Sequence, residues 1–286
     1  MIMKNKFLCL TIVSILSASI VSAQSLKEAA ERQNNNVVTT STSQQFVVKG
    51  IPFEMILVKG GTFSMGAGAE QSYCDRDEKP VHSVSLSTFY IGSTEVTQEL
   101  WKTVMGTSVE QQRDKANPAW PLRGVGDSYP MYYVSYDEIQ DFLLRLNELT
   151  GKNFALPTEA QWEYAARGGN KSTKKQFSGD EYLDNVGWYA GNASNSVHPV
   201  AQKTANELDI FDMSGNVWEW CSDWYSIDSY KKSAGSNPQG VESGEDIVLR
   251  GGCIITDENS CRVSNRGHMS SNLRNSFTGF RLVLIP

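Results

Sequence analysis

From Gly168 to Leu249 the chain carries no run of apolar residues at helical spacing, yet it is dense in Gly, Asn and Trp. Structureless stretches of that length are uncommon in compact domains. Those that occur are usually functional, or are held by something other than regular hydrogen-bond ladders. Three of the seven tryptophans, Trp218, Trp220 and Trp224, fall within this stretch in close succession. Buried indoles and bound ions are therefore the expected supports of a fold poor in regular secondary structure.

Regular elements are legible mainly before Gly168. Ser135 with Glu138 three residues later forms a capping box, and Ile139, Phe142, Leu143, Leu146 and Leu149 recur on one face until Gly151 ends the helix. A second helix is capped by Thr158 with Gln161, turns Trp162, Ala165 and Ala166 inward, and stops at Gly168-Gly169. A shorter one runs from Thr97 to Met105 with Gly106 as its stop. Along the second helix Glu159, Glu163 and Arg167, four residues apart, read as a salt-bridge row. The apolar run Phe53 to Val58, the Gly60-Gly61 punctuation and Thr62 to Met65 suggest a hairpin. Val81 to Ile91 reads as a strand, and Phe280 to Ile285 as the last one. No internal repeat and no second linker interrupts residues 46–286, so the expectation is one α+β domain.

Ahead of that domain, Lys4 and Lys6 precede an apolar run from Phe7 to Ile20, and Val21-Ser22-Ala23 supplies small residues for cleavage. This is the form of a secretory signal peptide over residues 1–23, which makes the mature chain exported: periplasmic, secreted or at the cell surface. Residues 24–45 are rich in Gln, Asn, Ser and Thr and read as a polar linker. The chain has 26 Lys and Arg against 32 Asp and Glu. Removal of Lys4 and Lys6 takes the balance to 24 minus 32, or −8. An acidic chain with a pI of about 5.2 is a poor nucleic-acid binder. A mean hydropathy of −0.36 excludes a multi-span membrane protein, and no membrane span is expected in the mature chain. Cleavage also removes Cys9, leaving Cys74, Cys221, Cys253 and Cys261. Four cysteines in an exported chain allow two disulfides in three connectivities, or free buried thiols, the latter notably for Cys221 among tryptophans.

The segment Phe211 to Trp220 places Asp212 and Glu219 around the Gly215 turn. Hard carboxylate oxygens beside a backbone bend suit calcium, which takes six to eight oxygens including main-chain carbonyls. The alternative is a tryptophan-anchored turn with solvated carboxylates. His82, His198 and His268 show no zinc or iron spacing.

Several segments together resemble the formylglycine-generating enzyme / sulfatase-modifying-factor family. They are Gly60 to Gly66 (GGTFSMG), Pro80 to Thr97 (PVHSVSLSTFYIGSTEVT), Phe154 to Gly169 (FALPTEAQWEYAARGG), Asn206 to Trp224 (NELDIFDMSGNVWEWCSDW), Leu249 to Gly252 (LRGG) and Gly279 to Leu282 (GFRL). Ala155 stands where that family usually has arginine. The resemblance implies a C-type-lectin-like fold variant with low regular secondary structure. It also implies calcium bound by Asp212, the carbonyls of Gly215 and Val217, and Glu219. A second calcium site would begin at Asn185-Val186, although the Gly191 to Ser196 loop that should complete it is shorter than in the enzymes. The family's enzymes hold copper on two thiolates five residues apart, after a Gly-Gly-Ser motif. Here Cys253 stands at the serine, Thr256 at the first thiolate and Cys261 at the second. A hydroxyl does not replace a thiolate as a Cu(I) ligand, so the resemblance offers Cys261 as a catalytic residue only if Cys253 is brought to it by a rearranged backbone.

The polar stretch Cys253 to Thr278, framed by Arg250-Gly251-Gly252 and Gly279-Phe280-Arg281, is a candidate binding surface. Its candidate contact residues are Thr256, Asp257, Asn259, Arg262, Arg266, His268, Asn272 and Arg274. The frame resembles the C-terminal variable region of retroelement-diversified lectin-fold proteins. The sequence thus reads as a non-catalytic or divergent member of the family that binds a protein or small ligand. The alternatives are a copper-dependent oxidase acting on a sulfatase-type peptide, and a structural part of a cell-envelope assembly.

Overall fold

A computed structural model describes residues 42–233 and 235–285. The expected signal peptide, and the expected linker as far as Ser41, lie outside the described residues. The first strand, β1 (Ser43–Val48), begins three residues before the boundary read at Phe46. It forms an antiparallel hairpin with β2 (Ile51–Val58). Lys49 and Gly50 between them both have positive φ, as a two-residue hairpin turn that matches strand twist requires.

The hairpin expected around Gly60-Gly61 does not form. One edge of β2 is taken by β1 and the other by β5 (Phe89–Gly92), so the next strand, β3 (Gly61–Met65), leaves the sheet and pairs with β4 (His82–Leu86). Gly60 permits the crossing, since a Cβ there would stand 2.5 Å from the Leu86 carbonyl oxygen. The single strand expected over Val81 to Ile91 is likewise two strands in different sheets, broken at Ser87-Thr88. A five-stranded sheet has the order β1-β2-β5-β11-β6, where β6 is Phe154–Ala155 and β11 is Val283–Leu284. The last strand is therefore shorter than the Phe280 to Ile285 run suggested. A four-stranded sheet joins β10 (Thr278–Gly279), β7 (Trp218–Trp224), β8 (Asp246–Arg250) and β9 (Gly267–Ser270), with β9 at its edge.

The helices follow their local signals. α1 (Gln98–Met105) is capped by Thr97, whose hydroxyl accepts from the Leu100 N–H, and ends at Gly106 with φ 76°. α2 (Val109–Ala116) is an additional helix: Ser108 and Gln111 form a capping box, but only Val109 and Gln112 are buried, so no apolar stripe announces it. α3 (Tyr136–Thr150) has the expected Ser135–Glu138 box and the Gly151 stop. Ile139, Phe142, Leu143 and Leu146 are buried, but Leu149 is 46% exposed because the last turn outruns the core. α4 (Glu159–Ala166) is capped by Thr158 and Gln161 and buries Trp162, Ala165 and Ala166. After Gly168 the only α-helix among the described residues is the four-residue α5 (Leu183–Val186).

Aromatics fill the space that ladders do not. Trp101 stacks on Phe142 at 5.3 Å, and Phe280 stands edge-on to both. A second cluster gathers Phe89, Trp162, Tyr164, Met213 and Cys221. Neither of the two possible disulfides is present: Cys74 is free and exposed, and Cys221, Cys253 and Cys261 are free and buried. No helix of the described residues is long and apolar enough to cross a membrane.

Phe142→Ala should cost about 3–5 kcal/mol in urea unfolding, because it leaves a cavity under Trp101 and Phe280. Leu149→Ala, on the overhanging turn, should stay within about 0.5 kcal/mol of the parent.

Candidate functional site

On α4 the residues Glu159, Trp162 and Glu163 all point inward. Of the charges read as a salt-bridge row along the helix, Glu163 and Arg167 do pair at i, i+4, but both glutamates are buried and their other partners come from far along the chain. Arg266 donates from Nε and Nη2 to the two Glu159 oxygens at 2.6 and 2.9 Å. Arg250 donates to Glu163 at 2.5 Å and to the carbonyls of Val263, Ser264 and Asn265. Arg167 donates to the other Glu163 oxygen at 2.8 Å and to Glu70 at 2.7 Å. Arg262 grips Glu78 with two nitrogens at 2.9 and 2.7 Å. Burial alone would raise the Glu159 carboxyl; Arg266 and Arg250 overcome that and hold it below the usual carboxylate range.

This network corrects the candidate binding surface. Arg262 and Arg266 are buried ion-pair partners. Asp257, Asn259, His268 and Asn272 are exposed, while Thr256 and Arg274 are half-buried. They fall in three places. Thr256, Asp257 and Asn259 lie beside the Tyr189 turn, where the Ala190 N–H donates to the Thr256 carbonyl and the Tyr189 hydroxyl to Glu258. His268, on the edge strand β9, pairs with Asp246 at 2.6 Å and stacks on Tyr225. Arg274 pairs with Glu138 at the start of α3, near Asn272.

At the copper position Thr256 closes a tight turn. Its hydroxyl donates to the Cys253 carbonyl at 2.9 Å, accepts from the Cys253 N–H at 3.0 Å, and lies 3.7 Å from the Cys261 sulfur. Cys261 packs with Phe177, Leu183 and Val186. Burial pushes the Cys253 thiol up to about 11 and the Cys261 thiol up to about 12. With a hydroxyl where a second thiolate is required, and Cys253 held in that turn, this donor set does not fit Cu(I).

The side chains among the calcium ligands implied by resemblance, Asp212 and Glu219, are both buried and close enough to influence each other. Glu219 is already neutralised: Arg281 donates to both its oxygens at 2.6 Å, and Trp162 Nε1 adds a bond at 2.7 Å. Gly215, at φ 95°, lies against Trp188 so closely that a Cβ would stand 2.3 Å from the Trp188 carbonyl oxygen. Val217 is buried with the aromatic core. Asp212 accepts from the Ala201 N–H through Oδ2 at 2.7 Å and keeps Oδ1 without a partner. At the second position, Asn185 donates to Asp180 at 3.1 Å and Val186 packs with Leu183. Among the described residues no group of three or more His, Cys, Asp and Glu side chains is arranged to hold a metal.

Two buried carboxyls escaped sequence reasoning. Glu95 is enclosed behind β5, in a segment with no periodic signal. Asp223 accepts from the Glu159 N–H at 2.9 Å and the Ser222 hydroxyl at 3.1 Å. Burial first, then the Glu159 charge, pushes it up to about 7. A signal for Asp223 existed. Glu219, Cys221 and Asp223 alternate along β7 and all turn toward α4, which is odd company for a strand face.

The family model for the sulfatase-modifying factor enzyme 1-like domain matches residues 42–285. A chaperone protein named LppX from Paenibacillus barcinonensis is 32% identical, over 80% of this chain and 89% of its own. A formylglycine-generating enzyme from Streptomyces coelicolor is 28% identical, over 78% of this chain and 86% of its own. Among solved structures, the Treponema denticola variable protein 1 superposes with a TM-score of 0.73 at 28% identity, covering 85% of this chain and 99% of that one.

Arg266→Ala strands the Glu159 charge in the interior and should cost about 3–5 kcal/mol in urea unfolding. Asp223 should also give the protein a pH slope. Its carboxyl sits at about 7 in the fold against 3.8 ordinarily, so the folded state holds an extra proton between those values. The stability this proton contributes is complete below about pH 4 and is lost as pH rises through about 7. In Asp223→Asn that slope disappears, so the variant's urea midpoint should gain on the parent's between those limits and then level off.

Proposed function

The chain belongs to the sulfatase-modifying factor family, and from that premise we propose that it is an exported, divergent member that binds a ligand or protein through the exposed part of its Cys253 to Thr278 segment. The observation that carries this reading is the split within that segment. Arg262 and Arg266 lock it into the interior, while Asp257, Asn259, His268 and Asn272 are left in solvent on a fixed frame. Polar tips on a rigid scaffold are a common way to build a recognition surface. The similarity to a solved structure whose name is "variable protein" supports the same reading. Export is supported by the composition of residues 1–23.

The oxidase alternative is weakened by Thr256, because Cu(I) chemistry in this family's manner rests on a thiolate pair. Reduced protein titrated with Cu(I) should show no tight one-to-one complex and should form no aldehyde on a Cys-x-Pro-x-Arg peptide. Tight binding lost in Cys261→Ser, together with aldehyde formation, would replace the proposed function by oxidase activity. For the surface, the combined substitution of Asp257, Asn259, His268 and Asn272 by Ala should abolish binding to ligands found on an array of glycans and extracellular proteins, with a cooperative thermal transition retained. Binding that survives the four substitutions would move the recognition surface elsewhere.

A further inference from the structure

Alone of the seven tryptophans, Trp120 lies open to solvent, 44% exposed; the other six are buried or half-buried. Its indole leans on the Tyr133 ring, stacked at 6.3 Å and 24°. The 117–124 loop that carries it has no helix or strand, yet it is pinned along its length. Asn117 accepts the Ala119 N–H through Oδ1 and the Trp120 N–H through its carbonyl, at 2.9 and 3.0 Å. The Tyr133 hydroxyl donates to the Pro121 carbonyl at 3.0 Å, and the Tyr132 hydroxyl accepts the N–H groups of Arg123 and Gly124. The Arg123 carbonyl accepts from the Val197 N–H and the Ser196 hydroxyl. Tyr133 has φ 60°, a left-handed conformation that a bulky side chain adopts only where its surroundings hold it.

The same loop presents a guanidinium that the chain does not neutralise. Arg123 is half-buried and makes no ion pair among the described residues; its Nη1 reaches only the Asn195 carbonyl, at 3.4 Å, and its buried Nε has no acceptor. A guanidinium taken partly out of water without a matching acceptor loses hydration that a bound carboxylate restores through two parallel bonds. Arg113 on α2 lies near the same place but is already paired with Asp114 at 2.7 Å. Both guanidiniums act on Tyr133. Burial raises its hydroxyl above the ordinary value, while the bond to Ser276, then Arg123 and Arg113, pull it back. Trp120 and Arg123 are three residues apart in sequence, so their Cα atoms stand within about 11 Å of each other.

We propose that Trp120 and Arg123 form a second binding site, for an acidic oligosaccharide built of hexuronate residues. The C–H face of a pyranose ring stacks on the exposed indole, whose negative π-cloud attracts the ring's weakly positive hydrogens. The carboxylate of the same sugar or of its neighbour pairs with Arg123. Because the loop is already fixed, little conformational entropy is lost on binding. A neutral apolar ligand would leave Arg123 unpaired, and a free phosphate or sulfate would leave the indole bare; a charged pyranose uses both. The chain's net charge of −6 opposes the ligand only weakly, because exposed charges are screened beyond about 8 Å at physiological ionic strength. The site goes beyond the surface proposed above: it lies on the 117–124 loop and uses none of Asp257, Asn259, His268 and Asn272.

The test is titration calorimetry of the full chain with trigalacturonate and with a hyaluronan tetrasaccharide, which offer uronates of galacto and gluco configuration. At least one should bind, with a dissociation constant of about 1 mM or tighter. Trp120→Ala should weaken that binding about tenfold or more, with its thermal transition retained. Arg123→Gln should weaken it comparably. The methyl ester of the bound probe keeps the rings and removes the charge, so it should bind the parent as weakly as the acid binds Arg123→Gln, and lose nothing further in that variant. Should Arg123→Gln fail to fold, the comparison of ester and acid on the parent protein still decides the charge contact. Silence of both probes at millimolar concentration would overturn the site, as would binding that Trp120→Ala leaves intact or an ester that binds as tightly as the acid. The variant lacking the four polar tips should bind the probes as the parent does, and ligands of that surface should survive Trp120→Ala, so the two proposals fail separately.

Discussion

The capture of the α4 carboxylates by arginines organises the half of the chain that has little regular structure. Glu159 and Glu163 stand on a short, firmly capped helix, and Arg266, Arg250 and Arg167 reach them from three directions. Through those arginines the helix holds the end of β8, the 262–266 segment and the turn after β3, where the Gly66 N–H donates to Glu163 and the Gly66 carbonyl accepts from Arg167. The Glu78–Arg262 pair adds the 76–78 turn to the same structure. Replacing such buried pairs with apolar residues of matching shape is often neutral or stabilising, whereas removing one partner is severe. Their value here is positional: each bidentate pair fixes the direction as well as the distance of a loop.

That arrangement explains how a segment rich in polar residues can be both core and surface. Between Cys253 and Thr278 one continuous run, Cys261, Arg262, Val263, Ser264, Asn265 and Arg266, is committed inward. What remains outside are short exposed runs around 257–259, at His268 and at 272–273. Substitution of these tips costs the interior little, because the backbone that carries them is held by guanidinium groups bonded to carbonyls and carboxylates elsewhere. Arg281 plays a similar part at Glu219, giving bonds to both its oxygens while Glu95 and Asp212 are buried nearby.

Much of the fold was legible. Thr97, Ser135 and Thr158 announce helices through bonds made within three residues, and Gly106 and Gly151 end two of them through a backbone conformation that glycine adopts without strain. The motif order that carries the family resemblance was equally open to reading. Strand partners were less so: β3 leaves β2 for β4 because β5, thirty residues on, occupies the edge of β2 that a hairpin would need.

Of the candidate site, the substitution of Thr256 for a thiolate could be read directly, since it depends on residue type at a counted position. The fates of Arg262, Arg266, Glu159, Glu163 and Glu219 could not. Their partners lie far along the chain, at sequence separations of 107 for Glu159 and Arg266, 62 for Glu219 and Arg281 and 184 for Glu78 and Arg262. A charged residue reads the same in sequence whether water or a guanidinium solvates it. By itself, then, the sequence determined the elements that local bonds make and the ligand chemistry that side chains can offer. Only the tertiary structure decided which charges are buried, because burial depends on contacts between segments that no local signal couples.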